Sequence, residues 1–143
     1  MYAYLYIETA KLGIDVVGES QLVGYHTQYP SVTMIDNTNA RPNARFRVLE
    51  LLKDNFGAGD QLVHAESGTG DVAVQAFATT RGRRLLLVNK RDRAQQVTLP
   101  ADAQQGRVTM VASSTGDDPP KDVNATGAAL SLEPFEVAVV AYQ

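Results

Sequence analysis

An apolar run followed by an alternating run organises the second half of the chain. Residues 85–88 are Leu-Leu-Leu-Val, with charged residues close by on both sides, and such a run is typical of a strand buried on both faces. In residues 95–99, Val97 and Leu99 alternate with glutamine and threonine, as in a half-buried strand. The polar residues 90–93 between the two runs have the length of a hairpin connection, so the sequence predicts a central β-hairpin.

Further segments with a period of two surround this hairpin. The predicted strands after residue 60 are residues 61–65, 72–78, 84–89, 95–99, 107–112, 129–132 and 136–141. Glycine-containing turns separate several of them, and the polar run 113–127 is predicted to be a turn region. Short strands with regular turn signals are typical of a sandwich. We therefore predict a mainly β fold, in which residues 61–143 form a seven- to eight-stranded antiparallel β-sandwich.

Residues 1–60 follow a different pattern and are predicted to form an α/β segment before the sandwich. Residues 2–12 favour a helix that ends at a glycine, and the apolar residues 14–17 predict a short buried strand. A long polar and aromatic connection follows, and a second helix is predicted over residues 42–56. The apolar stripe of this second helix consists of Val48, Leu49, Leu52 and Phe56. The change of period near residue 60 predicts the boundary between the two parts.

Composition and charge exclude few classes of function. The chain has 143 residues, of which 44% are hydrophobic and 20% charged, as in an ordinary globular domain. A net charge of −3 predicts neither a nucleic-acid partner nor an anionic membrane, and there is no apolar run long enough to span a bilayer. The absence of cysteine excludes disulfides and thiolate metal sites but leaves the compartment open. We expect no cofactor and no bound metal.

Two segments near the amino terminus carry a resemblance to a known family. Residues 13–36 (beginning Gly-Ile-Asp-Val-Val-Gly-Glu-Ser) and residues 41–49 (Arg-Pro-Asn-Ala-Arg-Phe-Arg-Val-Leu) resemble the last strand, loop and helix of a (β/α)-barrel glycoside hydrolase. The type is that of β-xylosidases and arabinofuranosidases, which carry a C-terminal β-sandwich. Residues 85–93 and 134–140 resemble strands of that sandwich. The resemblance implies that residues 1–60 are the remnant of a barrel, and that the partner is a plant-type polysaccharide or oligosaccharide.

The resemblance also implies where substrate would bind. The two catalytic carboxylates of the family lie at the ends of the fourth and seventh barrel strands, upstream of this chain, so none is carried over and we expect no catalysis by this region alone. Glu19 would follow the last strand on the face where barrel active sites lie. Tyr25, His26, Gln28 and Tyr29 would lie on the loop after it, with His26 where the family has a proline. These five residues are the predicted substrate-binding set.

The residues themselves allow other interpretations. Glu19 with Asp36, or Glu19 with Glu66, would give a carboxylate pair for a small self-sufficient glycosidase, although solvated loop charges are the favoured interpretation. His26 and His64 could act as metal ligands or bases, but without neighbouring ligands they read more simply as surface histidines.

The remaining interpretations concern packing and partners. The two tyrosines of the loop could instead pack onto the second helix. The six basic residues of segment 81–93 are expected to form a solvated rim rather than a nucleic-acid contact. Residues 1–60 are expected either to dock on the sandwich or to pair with a second copy, giving a homodimer. A structural or oligomerising module without a ligand is therefore the third interpretation.

Overall fold

A computed structural model of the protein describes residues 1–18, 22–23 and 33–143. It contains two α-helices, α1 (Tyr2–Lys11) and α2 (Ala44–Asn55), and a short 3₁₀ helix (Ala101–Ala103). Its eight strands are β1 (Gln61–Val63), β2 (Val72–Thr79), β3 (Gly82–Asn89), β4 (Gln95–Thr98), β5 (Arg107–Val111), β6 (Lys121–Asn124), β7 (Ala129–Leu132) and β8 (Val137–Tyr142).

The strands form two antiparallel sheets of unequal size. Six strands make one sheet in the order β1-β2-β3-β8-β5-β6, and β4 pairs with β7 in the other. Each adjacent pair is antiparallel. The predicted mainly β sandwich with seven to eight strands is confirmed.

Strand β3 lies inside the larger sheet and is covered on both faces. Leu86 and Val88 belong to a core shared with the helices, whereas Leu85 and Leu87 belong to a core shared with β4 and β7. All four side chains are buried. The apolar run was therefore correctly predicted to be a strand buried on both faces, because successive side chains of a strand point to opposite sides.

The two helices pack on one face of the six-stranded sheet. Ala3 and Ile7 of α1 are fully buried, and Leu51, Leu52 and Phe56 of α2 and its C-terminal end join them in one core. Aromatic contacts connect this layer to the sheet: the Phe56 ring lies 4.5 Å from that of Phe77 and 5.6 Å from that of Tyr6. Helix α2 begins after Asn43, whose side-chain oxygen accepts hydrogen bonds from the backbone N–H groups of Arg45 and Phe46.

The predicted hairpin of β3 and β4 is wrong. Strand β3 pairs with β2 and β8, and β4 lies in the other sheet. A strand with both faces buried needs neighbours on both edges of its own sheet, whereas β4 exposes Gln96 and Thr98 and suits the outer layer. Residues 90–93 therefore cross between sheets: the Lys90 N–H donates to the Asp71 carbonyl, and the Arg91 carbonyl accepts from the Phe135 N–H.

The strand predicted over residues 14–17 is not formed. Ile14, Val16 and Val17 are 47%, 84% and 63% exposed. A short strand is stable only beside a partner strand, and in the described residues no strand lies against this segment. Conversely, β6 lies inside the run that was predicted to be a turn region. It is an edge strand, and a polar sequence suits such a position because charged side chains discourage pairing with other chains.

Candidate functional site

The five predicted substrate-binding residues cannot be placed. Glu19, Tyr25, His26, Gln28 and Tyr29 all lie outside the described residues, so their role stays a prediction. Val23, which lies between Glu19 and Tyr25 in the sequence, and Pro42 each form an isolated backbone bridge with Ile35.

Asp36, one of the two suggested partners of Glu19, is used in a turn. Its carboxylate accepts hydrogen bonds from the backbone N–H of Thr38 at 2.7 Å and from the Asn39 amide at 3.2 Å. The hydrogen bond from the Thr38 N–H is the main cause that lowers the pKa of the Asp36 carboxyl below its usual value. A carboxylate held in its ionised form at the surface caps the turn well and is poorly suited to act as a general acid.

Glu66, the other suggested partner, lies beside His64 at the surface. The His64 Nε2 is 3.6 Å from the Glu66 Oε1, and their side chains are 84% and 80% exposed. Exposed pairs of this kind contribute little free energy. The arrangement fits the interpretation of both residues as surface groups.

The basic residues of segment 81–93 are largely taken up by contacts within the chain. The Asp71 carboxylate accepts hydrogen bonds from the Arg91 Nε at 2.6 Å and from an Arg93 nitrogen at 3.1 Å. The hydrogen bond from Arg91 is the main cause that lowers the pKa of the Asp71 carboxyl. Arg83 pairs with Asp102 at 3.1 Å. Arg83 has a carboxylate partner of its own, whereas Arg91 and Arg93 share one, so most of the positive charge of these three arginines is compensated within the chain.

A cleft of about 700 Å³ lies between β2 and β3 of the larger sheet and β4 of the smaller one. Its apolar wall is formed by β2, β3 and the end of β4, through Val72, Val74, Leu85, Leu87, Val97 and Leu99. The polar groups at its rim come from residues 66–69 and from Gln96 and Thr98. The sequence pattern did not point to this cleft, because its walls come from strands in different sheets and its rim from a loop.

The turn between β7 and β8 holds a buried carboxyl and an exposed aromatic side by side. Glu136 is 1% exposed, and its Oε2 accepts a hydrogen bond from the Glu133 N–H at 2.7 Å. Burial is the main cause that raises the pKa of the Glu136 carboxyl. Phe135 is 64% exposed, and its φ of 56° lies in the left-handed region. The sequence signal for this turn is Pro134, since proline favours the second position of a tight turn, and the Glu136 N–H donates to the Glu133 carbonyl at 3.2 Å.

The described residues contain neither a cluster of metal ligands nor a membrane-spanning helix. In residues 1–18, 22–23 and 33–143, no group of three or more histidine, cysteine, aspartate or glutamate side chains is arranged to hold a metal ion. Neither helix in the same ranges has the length and apolar character needed to cross a membrane.

Comparison with known proteins supports the assignment of the sandwich. Residues 70–140 match the family described as D-apionate lactonase, C-terminal immunoglobulin-like domain. The sandwich is immunoglobulin-like. The matched residues run from just before β2 into β8 of this immunoglobulin-like sandwich and do not include either helix. No curated protein sequence matches the chain.

Solved structures share the fold at low sequence identity. One is the glycoside hydrolase family 30 subfamily 8 xylanase Xyn30A of Clostridium acetobutylicum, with a TM-score of 0.61 and 16% identity over 79% of this chain and 31% of that one. Another is a GH30 endoxylanase of Clostridium papyrosolvens C71, with a TM-score of 0.56 and 15% identity over 76% and 30% of the two chains. The chain thus spans about a third of the length of these structures.

Proposed function

We propose that this chain is the accessory β-sandwich region of a glycoside hydrolase, which stabilises the enzyme and contacts its polysaccharide weakly. In this proposal residues 1–60 are the end of a barrel and residues 61–143 are the sandwich. The observation that carries the proposal is the match of residues 70–140 to a C-terminal immunoglobulin-like domain of a lactonase. The fold shared with two xylanases is consistent with it.

The packing of the helices supports a stabilising role. Both helices share one core with the six-stranded sheet, through Ile7, Leu52 and Phe56 on one side and Phe77 and Leu86 on the other. If the helices belong to a barrel, this core would fasten the barrel to the sandwich.

Binding to insoluble xylan and cellulose tests the sugar-contacting part of the proposal. We expect the chain to be retained on xylan and Tyr25→Ala to be retained less, since a tyrosine offers an aromatic face to a sugar ring. His64→Ala, at an exposed histidine, is the matched control and should bind like the wild type. Failure of the wild type to bind either polysaccharide would contradict sugar contact.

Turnover of aryl glycosides tests the alternative of a self-sufficient glycosidase. We expect no hydrolysis by the isolated chain. Hydrolysis that is abolished in Glu19→Gln would replace the accessory role by a catalytic one, with Glu19 in the carboxylate pair.

One observation favours a second function, that of an oligomerising module. Ile14, Val16 and Val17 are exposed within four residues of the chain, and Leu22 and Val23 are exposed further along it. Exposed apolar patches commonly mark interaction sites. Light scattering should then show a homodimer that Val16→Asp abolishes and Thr126→Asp does not. A monomer at all concentrations would exclude self-association through this segment.

A further inference from the structure

The turn between β7 and β8 keeps a large aromatic side chain in a backbone conformation that disfavours it. Phe135 has a φ of 56°, and in this region the Cβ of an L-residue crowds the neighbouring carbonyl, so that glycine or asparagine is usual and a bulky residue is an outlier. The side chain does not gain burial in return, because it is 64% exposed. A residue that is strained and exposed contributes little to the core around it.

Hydrogen bonds from several segments hold the backbone of this turn in place. The Phe135 N–H donates to the Arg91 carbonyl at 3.0 Å, and the Asn89 amide donates to the Glu133 carbonyl at 2.7 Å. The Glu133 N–H is bound by the Glu136 carboxyl, and the Glu133 carboxylate accepts from the Ser114 hydroxyl at 2.6 Å. Strained residues persist where the surroundings over-determine them, and they cluster at functional sites. The backbone that carries the exposed ring is therefore held in place by its neighbours.

The surroundings of Phe135 are charged rather than apolar. Asp71, with Arg91 and Arg93 bound to it, lies in the segments joined to this turn, and Asp92 is exposed between the arginines. Phe135 is the one exposed large apolar side chain in residues 89–93, 113–114 and 133–136, all of which are described. The core of a protein–protein interface needs a wider apolar patch than one ring.

A saccharide fits this combination better. A pyranose has an apolar C–H face and a rim of hydroxyl groups, and an exposed aromatic ring offers an apolar surface of similar size. The Arg91 and Arg93 side chains each use one nitrogen in the ion pair with Asp71 and are 49% and 66% exposed. A guanidinium group has five N–H donors, so others remain to donate to hydroxyl groups. We propose that Phe135 and the Asp71, Arg91 and Arg93 side chains, which belong to segments hydrogen-bonded to its turn or to one another, form a saccharide-binding site on the sandwich. The inference rests on the proposed function and adds a site separate from the loop that carries Tyr25.

The experiment is affinity electrophoresis in gels with and without soluble arabinoxylan, together with thermal unfolding of each variant. We expect arabinoxylan to retard the wild type and Phe135→Gly to weaken this affinity at least about tenfold, as for other aromatic anchors. Phe135→Tyr keeps the ring and should bind like the wild type. Leu62→Ala removes another exposed apolar side chain, which is 44% exposed in β1, and should leave binding unchanged.

Thermal unfolding separates a binding role from a structural one. Because glycine relieves the left-handed strain at this position, Phe135→Gly should melt at or above the temperature of the wild type while losing affinity. A lower melting temperature by several degrees would overturn the inference, since it would make the ring structural. Retardation that is unchanged in Phe135→Gly would overturn this site alone, whereas a wild type without retardation would also contradict sugar contact as proposed above.

Discussion

The two faces of the six-stranded sheet are packed against different kinds of layer, one helical and one a second sheet. On one face, α1 and α2 bring Ile7, Leu51 and Phe56 into contact with the sheet, with an aromatic cluster at the centre. On the other face, β4 and β7 supply a mostly aliphatic core around Leu99 and Leu132. The cleft of about 700 Å³ lies on this second face and is lined by residues of β2, β3 and β4. The comparison teaches that the segment before residue 60 contributes to the core as directly as the second sheet does.

The largest expected effect comes from breaking the helical cover. Phe56→Ala should lower the free energy of unfolding by about 3–5 kcal/mol, because it removes a buried ring that contacts both Tyr6 and Phe77 and leaves a cavity. Denaturant titration followed by circular dichroism measures this change. Leu12→Ala, at a residue that is 75% exposed, is the control and should change the free energy by less than about 0.5 kcal/mol.

The number of transitions in the same titration tests whether the helices and the sheet unfold together. Since the helices share a core with the sheet, the chain should unfold in one transition in both the wild type and Phe56→Ala. Separate transitions for the helical signal and the sheet signal would show instead that the helices form an independent layer.

Disrupting the packing of the two-stranded sheet should lower the free energy of unfolding somewhat less. Leu132→Ala removes a fully buried side chain of β7, and we expect a loss of about 2–4 kcal/mol in the free energy of unfolding. Ser131→Ala, at the exposed position next to it, serves as the control. If Leu132→Ala cost less than about 1 kcal/mol, the smaller sheet would not be a true part of the core.

The cap of α2 should have an effect of intermediate size. Asn43→Ala removes the side-chain acceptor for the N–H groups of Arg45 and Phe46, and the donor to the Thr33 carbonyl at 2.6 Å. We expect a loss of about 1 kcal/mol, measured by thermal unfolding. Asn43→Asp restores the acceptor and should recover most of the lost stability. If both variants were equally unstable, the loss would come from the hydrogen bond to Thr33 and not from the helix cap.

The smallest effect is a dependence on pH that one residue carries. Burial raises the pKa of the folded Glu136 carboxyl, and the nearby Glu133 charge adds to this shift. An acid with a raised pKa stabilises the fold below its unfolded value of about 4.3, and this stability is lost as the pH rises through the folded value. Glu136→Gln should therefore gain stability relative to the wild type as the pH rises from 4.5 to 8.

Comparison of the two proteins at each pH isolates this residue. Asp71, Asp122 and Glu133 have lowered pKa values and give the opposite dependence, but they are present in both proteins, so their contributions largely cancel in the difference. A difference in melting temperature that is the same at pH 4.5 and pH 8 would contradict the assignment to Glu136.

Local pattern predicted the elements well and their partners poorly. Seven of the eight strands and both helices were predicted near their observed bounds, because alternation and amphipathic stripes are local properties. The pairing of β4 with β7 was missed because it joins segments about thirty residues apart in the sequence. A tight polar connection after β3 looks like a hairpin whether the chain turns back or crosses to another sheet.

The candidate sites show the same limit more sharply. Asp36 was considered as a catalytic acid, but only the structure shows its carboxylate occupied by the turn around Thr38. Pro134 indicates a turn before Phe135, but the hydrogen bonds from Asn89 and Ser114 to Glu133 join segments that are distant in sequence, so no local pattern predicts them. The predicted segment 14–17 failed for a related reason: its apolar character was read correctly, but a strand also needs a neighbour.

One consequence follows from the composition of β3. Residues 85–88 are so alike that a shift by one position would exchange the two cores without burying any polar group among them. The side chain that breaks this ambiguity is Asn89, which donates to the carbonyls of Arg93 and Glu133. Together with the tight turn that pairs Thr79 with Gly82, this buried amide sets the register of β3, and Asn89→Leu would leave the turn alone to hold it.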